Sequence, residues 1–153
     1  MKRVEVKLSL PIVAPLLDVI KAAADSLDGQ LAAPLAMTDL EAEFHDAWSS
    51  ELLVAQNEDV RTLLALFDSE FFANGVIGFD EDNADAIVRA CAAVRLRLRA
   101  RFLGGLADET LEAGDVEFEQ LDEPVRKAFM CYLFLATVQE LIIQHLDSSI
   151  IES

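Results

Sequence analysis

The chain has 153 residues, of which 53% are hydrophobic and 26% charged, with a formal net charge of −16 at pH 7 from 28 acids against 12 lysines and arginines. That balance belongs to globular proteins with a core large enough to stand without disulfides or metals, and it excludes the disordered class. The charge also excludes a duplex-binding face, which needs a basic patch, and argues against docking on anionic lipid, so neither nucleic acid nor membrane is expected as a partner.

The basic start followed by apolar residues imitates a signal peptide. Pro11 and Pro15 interrupt the apolar stretch and Asp18 and Lys21 follow it, so export is rejected. Val4, Val6 and Leu8 alternate with Glu5, Lys7 and Ser9, the period of a half-buried strand over residues 2–8. Ser9 then caps a first helix, with Pro11 in its opening turn and Pro15 a point for a kink or a late start. Ile12, Leu16, Leu17, Ile20, Ala24 and Leu27 are its inward set, and Asp28–Gly29 its stop. Beyond a loop around Pro34, Thr38 and Glu41 form a capping box for a helix carrying Leu40, Phe44, Trp48 (or Ala47) and Leu52 on one face. Asn57, Glu58 and Asp59 read as a break and a new cap. Val60, Leu63, Leu64, Phe67 and Phe71 form the following stripe, which ends at Asn74–Gly75.

Gly75 to Phe79 is a connector with strand character that could pair with the N-terminal strand. Asp80 is expected to cap the next helix, with Glu81, Asp82 and Asn83 as an acidic first turn. Val94 to Phe102 alternates like a strand when taken alone. With the alanine-rich AIVRACAA before it, Ile87, Cys91, Val94, Leu98 and Phe102 share one helical face, and length and alanine content decide for a helix over about 80–103. Asp108 to Glu123 holds eight acids and no base, the composition of a solvated connector. Pro124 opens a last helix reaching about Asp147. Its middle, AFMCYLFLATV, is apolar all round and must be sheathed by other helices or a second subunit. No run approaches the ~18 residues that would span a bilayer. The expected architecture is a mostly α single domain over residues 1–153: a bundle of about five helices with a short N-terminal strand and minor strand pairing left open. The last helix is placed at its centre, antiparallel to the arginine-rich helix and covered by the first helix and the two Phe-rich ones.

Arg95, Arg97, Arg99 and Arg101 are the densest basic cluster, Arg95 and Arg99 on one helical edge and Arg97 and Arg101 on the other. They read either as a clamp for a carboxylate or phosphate, or as flanks of the core stripe paired with nearby acids. Gln139 and Glu140 interrupt the apolar helix, and a buried carboxylate must be paired, so Glu140 is expected against Arg95 or Arg99. Leu141, Ile142, Ile143 and Leu146 then form surplus apolar surface suited to a homodimer interface. Cys91 and Cys131 read as buried, reduced thiols of a cytoplasmic protein, with a disulfide left open if their two helices pack face to face. His45 with Glu41 lacks the further ligands zinc needs, and Asp80, Asp82 and Asp85 lack the glycine and the terminal acid of a calcium loop. No metal, cofactor or catalytic residue is expected.

The order of a short strand, a helix, EAEFHDAWSSELL, AIVRACAAVRLRLRARF and finally YLFLATVQELIIQHL resembles the bacterial DUF2017 family over most of the chain. Arg95 and Leu96 match its arginine–leucine motif, and Gln139, Glu140 and Leu141 its glutamine–glutamate signature. The tryptophan and asparagine usual before the arginine are replaced across Val88–Ala93 and the glycine after it is missing, the pattern of a distant member. The resemblance implies a helical fold and no established activity. It also implies a link to protein turnover, because genes of that family often lie near a Clp-protease adaptor and a metallopeptidase-like gene. Together these features favour a non-catalytic cytoplasmic interaction or regulatory module with an unknown protein partner. The alternative is an anionic-ligand binder or enzyme using Arg95, Gln139 and Glu140 as a pocket.

Overall fold

The alternation at the N-terminus becomes strand β1 (Arg3–Lys7), which pairs antiparallel with β2 (Val76–Asp80), Val4 opposite Phe79 and Val6 opposite Ile77. The structure, a computed structural model, describes residues 3–29, 31–32, 42–104 and 121–147. Period-2 geometry turns Ile77 and Phe79 inward, where both are buried, while Arg3, Glu5 and Lys7 face solvent. The pairing is closed by the Leu8 N–H donating to the Gly75 carbonyl at 2.7 Å.

Four long helices and one short one supply the rest of the described elements. Helix α1 (Leu10–Ser26) starts after Ser9 and runs through Pro15 without ending. Its inward set is Val13, Leu16, Ile20, Ala23 and Ala24, continued by Leu27. Ile12, expected inside, is 60% exposed, because Val13 stands in register with Leu16 and Ile20 and its neighbour is turned some 100° away.

Helix α2 (Ala42–Leu64) corrects the expected break at Asn57–Asp59. Those polar residues are used across the fold and not as caps. Gln56 Nε2 donates to the Leu27 carbonyl at 3.0 Å and Asn57 Nδ2 to that of Asp28 at 3.1 Å, satisfying groups that the end of α1 leaves open. The break comes instead at 65–68, where Asp68 Oδ1 accepts from the Phe71 N–H and caps α3 (Ser69–Asn74). Asp80 likewise does not cap a helix directly. It ends β2, its carboxylate accepts from the Asp82 and Asn83 N–H groups, and α4 (Ala84–Phe102) begins after that turn. VRLRLRARF is helical, because its alternation is overruled by the length and alanine content of the whole segment. The capping box at Thr38–Glu41 and most of the acidic stretch from Asp108 lie outside the described residues.

Helix α5 (Glu123–Ile142) continues as a π-helical turn, Ile143–Asp147. It runs antiparallel to α4, since Gln139 meets Val88 at one level and Tyr132 meets Arg95 at another. The expectation that α5 lies at the centre needs correction: α4 is the helix packed by α5, α2 and α1 together, whereas α5 rests on α4 and α1. The Phe-rich segment still reaches α5 through Phe67, whose ring lies 6.3 Å from that of Phe134. By length and composition Glu123–His145, with a mean hydropathy of 1.2, suffices to cross a bilayer, against the expectation that no segment does. In the fold this helix buries Phe129, Cys131, Leu135 and Val138.

Gly75 ends α3 with φ 73°, its N–H bonded to the Phe71 carbonyl, and a Cβ there would stand 2.6 Å from the Leu8 carbonyl oxygen. Gly75→Ala should therefore cost about 1–3 kcal/mol from the left-handed backbone and the clash. Urea denaturation measures it, and an unchanged midpoint would contradict the turn geometry.

Candidate functional site

Helical spacing puts Arg95 on the margin of α4 that faces α5, one turn beyond the buried Cys91. Its Nη1 donates to Gln139 Oε1 at 2.7 Å, and the Gln139 amide donates in turn to the Val88 carbonyl at 3.0 Å. The guanidinium carbon stands 4.3 Å from the centre of the Tyr132 ring, a cation–π contact. One arginine is thereby held on α5 by its edge through Gln139 and by its face through Tyr132.

Glu140 is not part of this cluster. The expected Glu140–Arg95 pair is corrected: Glu140 is exposed, and its Oε1 accepts from Gln144 Nε2 at 3.3 Å on its own helix. The buried stripe of α5 runs through Leu135, Val138 and Ile142, so Gln139 flanks it while Glu140 turns another 100° toward solvent. The chemistry agrees, because an amide is cheaper to desolvate than a carboxylate. It also both accepts from Arg95 and donates to a carbonyl, which a carboxylate cannot do.

The other arginines divide as their spacing predicts. Arg97 and Arg101 line a groove of about 190 Å³ between α4 and α1, with Val19, Ala22, Phe102 and Asp18. Arg99 is half-buried. Of the expected interface residues, Ile142 is buried in the core at 1% exposure and cannot serve a partner. Leu141 is half-buried against the core, Ile143 is 47% exposed, and the Leu146 side chain lies outside the described residues.

Two features escape sequence reasoning. Tyr132 is hidden inside an apolar run, although as the sole tyrosine it offers a ring face for a cation. Asp59 and Arg89 form a two-pronged ion pair, with Nε to Oδ2 at 2.9 Å and Nη2 to Oδ1 at 3.0 Å, and the Asp59 bonds raise the Arg89 pKa. Reading Asp59 as a local cap conceals that partnership.

Cys91 and Cys131 are free thiols without solvent access. Burial pushes Cys91 up to about 12, with Arg95 pulling the other way, and burial pushes Cys131 up to about 12 against Lys127. The Cys131 thiol lies 3.5 Å from the Leu16 carbonyl oxygen, a contact between α5 and α1. Among the described residues no three His, Cys, Asp or Glu side chains are grouped to hold a metal.

This geometry has measurable consequences. In a double-mutant cycle, Arg95→Met and Gln139→Leu should each destabilise by about 1–3 kcal/mol, and the double variant by less than their sum. Glu140→Leu should leave the urea midpoint in place, and a large loss there would restore the buried carboxylate pair. At pH 8 a thiol reagent should react with neither cysteine in the native chain and with both in urea. An exposed thiol ionises near 9.0 while the folded ones ionise near 12, so stability contributed by the buried thiols is complete below 9 and falls as pH rises toward 12.

Compared with known proteins, residues 15–146 match the family described as "Domain of unknown function (DUF2017)". No curated protein and no solved structure matches the chain.

Proposed function

The chain belongs to the DUF2017 family, and from that premise we propose that it is a non-catalytic interaction or regulatory module acting in the cytoplasm by binding another protein. One observation carries this reading: large apolar side chains stand at the surface while Arg95 and Gln139 bond to each other across the joint of α4 and α5. Trp48, Leu52 and Val54 on α2, Phe72 on α3 and Leu96 on α4 are each more than 40% exposed. Arg95 and Gln139, the residues matching the family's two motifs, bind each other and leave the joint between α4 and α5 fixed. Surfaces of this kind serve binding when the apolar residues gather, because their removal from water drives association. Self-association is one form of this reading, with Ile143 at the end of α5 as its anchor. The link to protein turnover suggested by the family's gene neighbours fits the same reading, since adaptors and regulators act by binding.

The anionic-ligand alternative has one observation in its favour, the groove between α1 and α4 with Arg97 and Arg101 on its rim. Saturable binding of a fatty-acid or phosphate probe, lost in Arg101→Ala, would favour it.

The test of the interaction reading is size-exclusion chromatography of cross-linked native lysate. A discrete species well above the 16.8 kDa of the chain is expected. Elution as free monomer at native concentration would refute the reading. Light scattering on the purified chain separates a second copy from a foreign partner.

A further inference from the structure

Strand β1 has a second edge. Its register sets Lys7 opposite Val76 and hence Leu8 opposite Gly75, and the Leu8 N–H donates to the Gly75 carbonyl at 2.7 Å. Hydrogen-bonded pairs recur at every second position of an antiparallel ladder. Val4, Val6 and Leu8 therefore spend their backbone groups on β2, and Arg3, Glu5 and Lys7 turn theirs to the opposite side. Among the described helices and strands only β2 runs alongside β1, and the side chains of Arg3, Glu5 and Lys7 are exposed. An open edge of this kind is a template for another strand.

A lysine on an edge strand repels most incoming strands, so what stands opposite Lys7 decides the partner. A second copy of β1, antiparallel, completes the ladder only where outward-facing residues of both copies meet. Centred on Glu5, that pairing sets acid against acid and Arg3 against Lys7, which is destabilising. Centred on Val4, it gives Arg3 the Glu5 it already contacts within its own chain, and Lys7 runs past the described strand. Centred on Val6, it sets Glu5 of each copy opposite Lys7 of the other, twice by symmetry. Lys7 has no ion pair of its own among the described residues. Arg3 falls opposite Ser9 and keeps Glu5 and Asp80 at 3.6 and 3.7 Å. On the other face Val6 meets Val6 and Val4 meets Leu8, side chains that already rest half-buried against the core. The exposed face of the ribbon holds two bases, Arg3 and Lys7, and two acids, Glu5 and Asp80, so it does not share the acidic excess of the chain. Two further acids, Asp68 and Glu70, share a groove with Arg3 and Glu5 but belong to α3, which packs on β2, away from the open edge. Resting on the interaction reading above, we propose that β1 pairs with β1 of a second copy, antiparallel and centred on Val6, joining two ribbons into one four-stranded sheet.

One strand pair is a small interface and makes a weak dimer, so light scattering on the purified chain is read from about 1 to about 500 μM. A rise from the monomer to the dimer mass is expected. Hydrogen exchange should show the Glu5 and Lys7 amides protected only as the dimer forms, and the Val6 amide protected at every concentration. Glu5→Pro removes an outward N–H and leaves the donors to β2 in place, so it should abolish the dimer in a folded chain. Glu5→Lys and Lys7→Glu set like charges opposite each other and should each weaken the dimer about tenfold, and the double variant should recover most of that loss. Ile143→Ser, at the end of α5, should not weaken it. Melting curves confirm that each variant folds, and the charge-swap series decides if Glu5→Pro does not. A monomer throughout the range, a dimer lost in Ile143→Ser, or no recovery in the double variant would overturn the strand pairing. The cross-linked lysate species separates the two ideas: if it forms while the purified chain stays monomeric, the strand pairing is wrong and the interaction reading stands with a foreign partner. If wild type forms no such species, the reading itself falls.

Discussion

Helix α4 presents Ile87, Ala90, Cys91, Val94 and Leu98 in one stripe, and α1, α2 and α5 close on that helix from three sides. Alanine and cysteine at its middle are small, which lets neighbouring backbones approach, while isoleucine, valine and leucine fill the space between them. Among the described residues no polar or charged side chain is fully buried. Apolar burial is strong and has no direction, so the stripe by itself favours closure without choosing an angle or a register.

Direction comes from the margins. Arg95, Gln139 and the Val88 carbonyl tie α4 to α5, Arg89 and Asp59 tie it to α2, and Gln56 and Asn57 tie α2 to the open end of α1. Each tie sits where water still reaches part of the group, which limits its desolvation cost. Most of them join side-chain amides to backbone carbonyls, an arrangement that satisfies helix ends and inter-helix contacts with the same atoms. The joint between strands and helices follows the same logic, with Gly75 admitting a close backbone approach to Leu8 and Asp80 holding the turn into α4. The same economy bears on the proposed role. Hydrogen bonds committed to the margins leave the exposed apolar side chains of α2, α3 and α4 as the features a partner would meet in that reading.

Elements whose cause is local are legible in the sequence itself. The alternation of Val4 and Val6, the alanine-rich run before Val94, the proline at the start of α5 and the glycine after Asn74 each act within a few residues of themselves. They mark β1, α4, α5 and the end of α3. The uniform apolarity of Ala128–Val138 likewise demands cover, whatever supplies it. Of the site, Arg95 and Gln139 are legible as polar groups beside apolar stripes.

What only the tertiary structure decided is the partner of each polar group, because a side chain's best hydrogen bond can lie far along the chain. Asn57, Glu58 and Asp59 have the composition of a cap, yet Asn57 reaches Asp28 and Asp59 reaches Arg89, so the helix passes through them unbroken. Gln139 and Glu140 are adjacent in sequence and a third of a turn apart in space, and that angle gives Arg95 to the amide and leaves the acid to solvent. Which helix lies at the centre was also beyond local reasoning, since α4 and α5 both carry apolar stripes and only packing shows which is enclosed on three sides. The sequence determined which segments coil and which faces shun water; the fold determined who meets whom, for burial has no address and hydrogen bonds do.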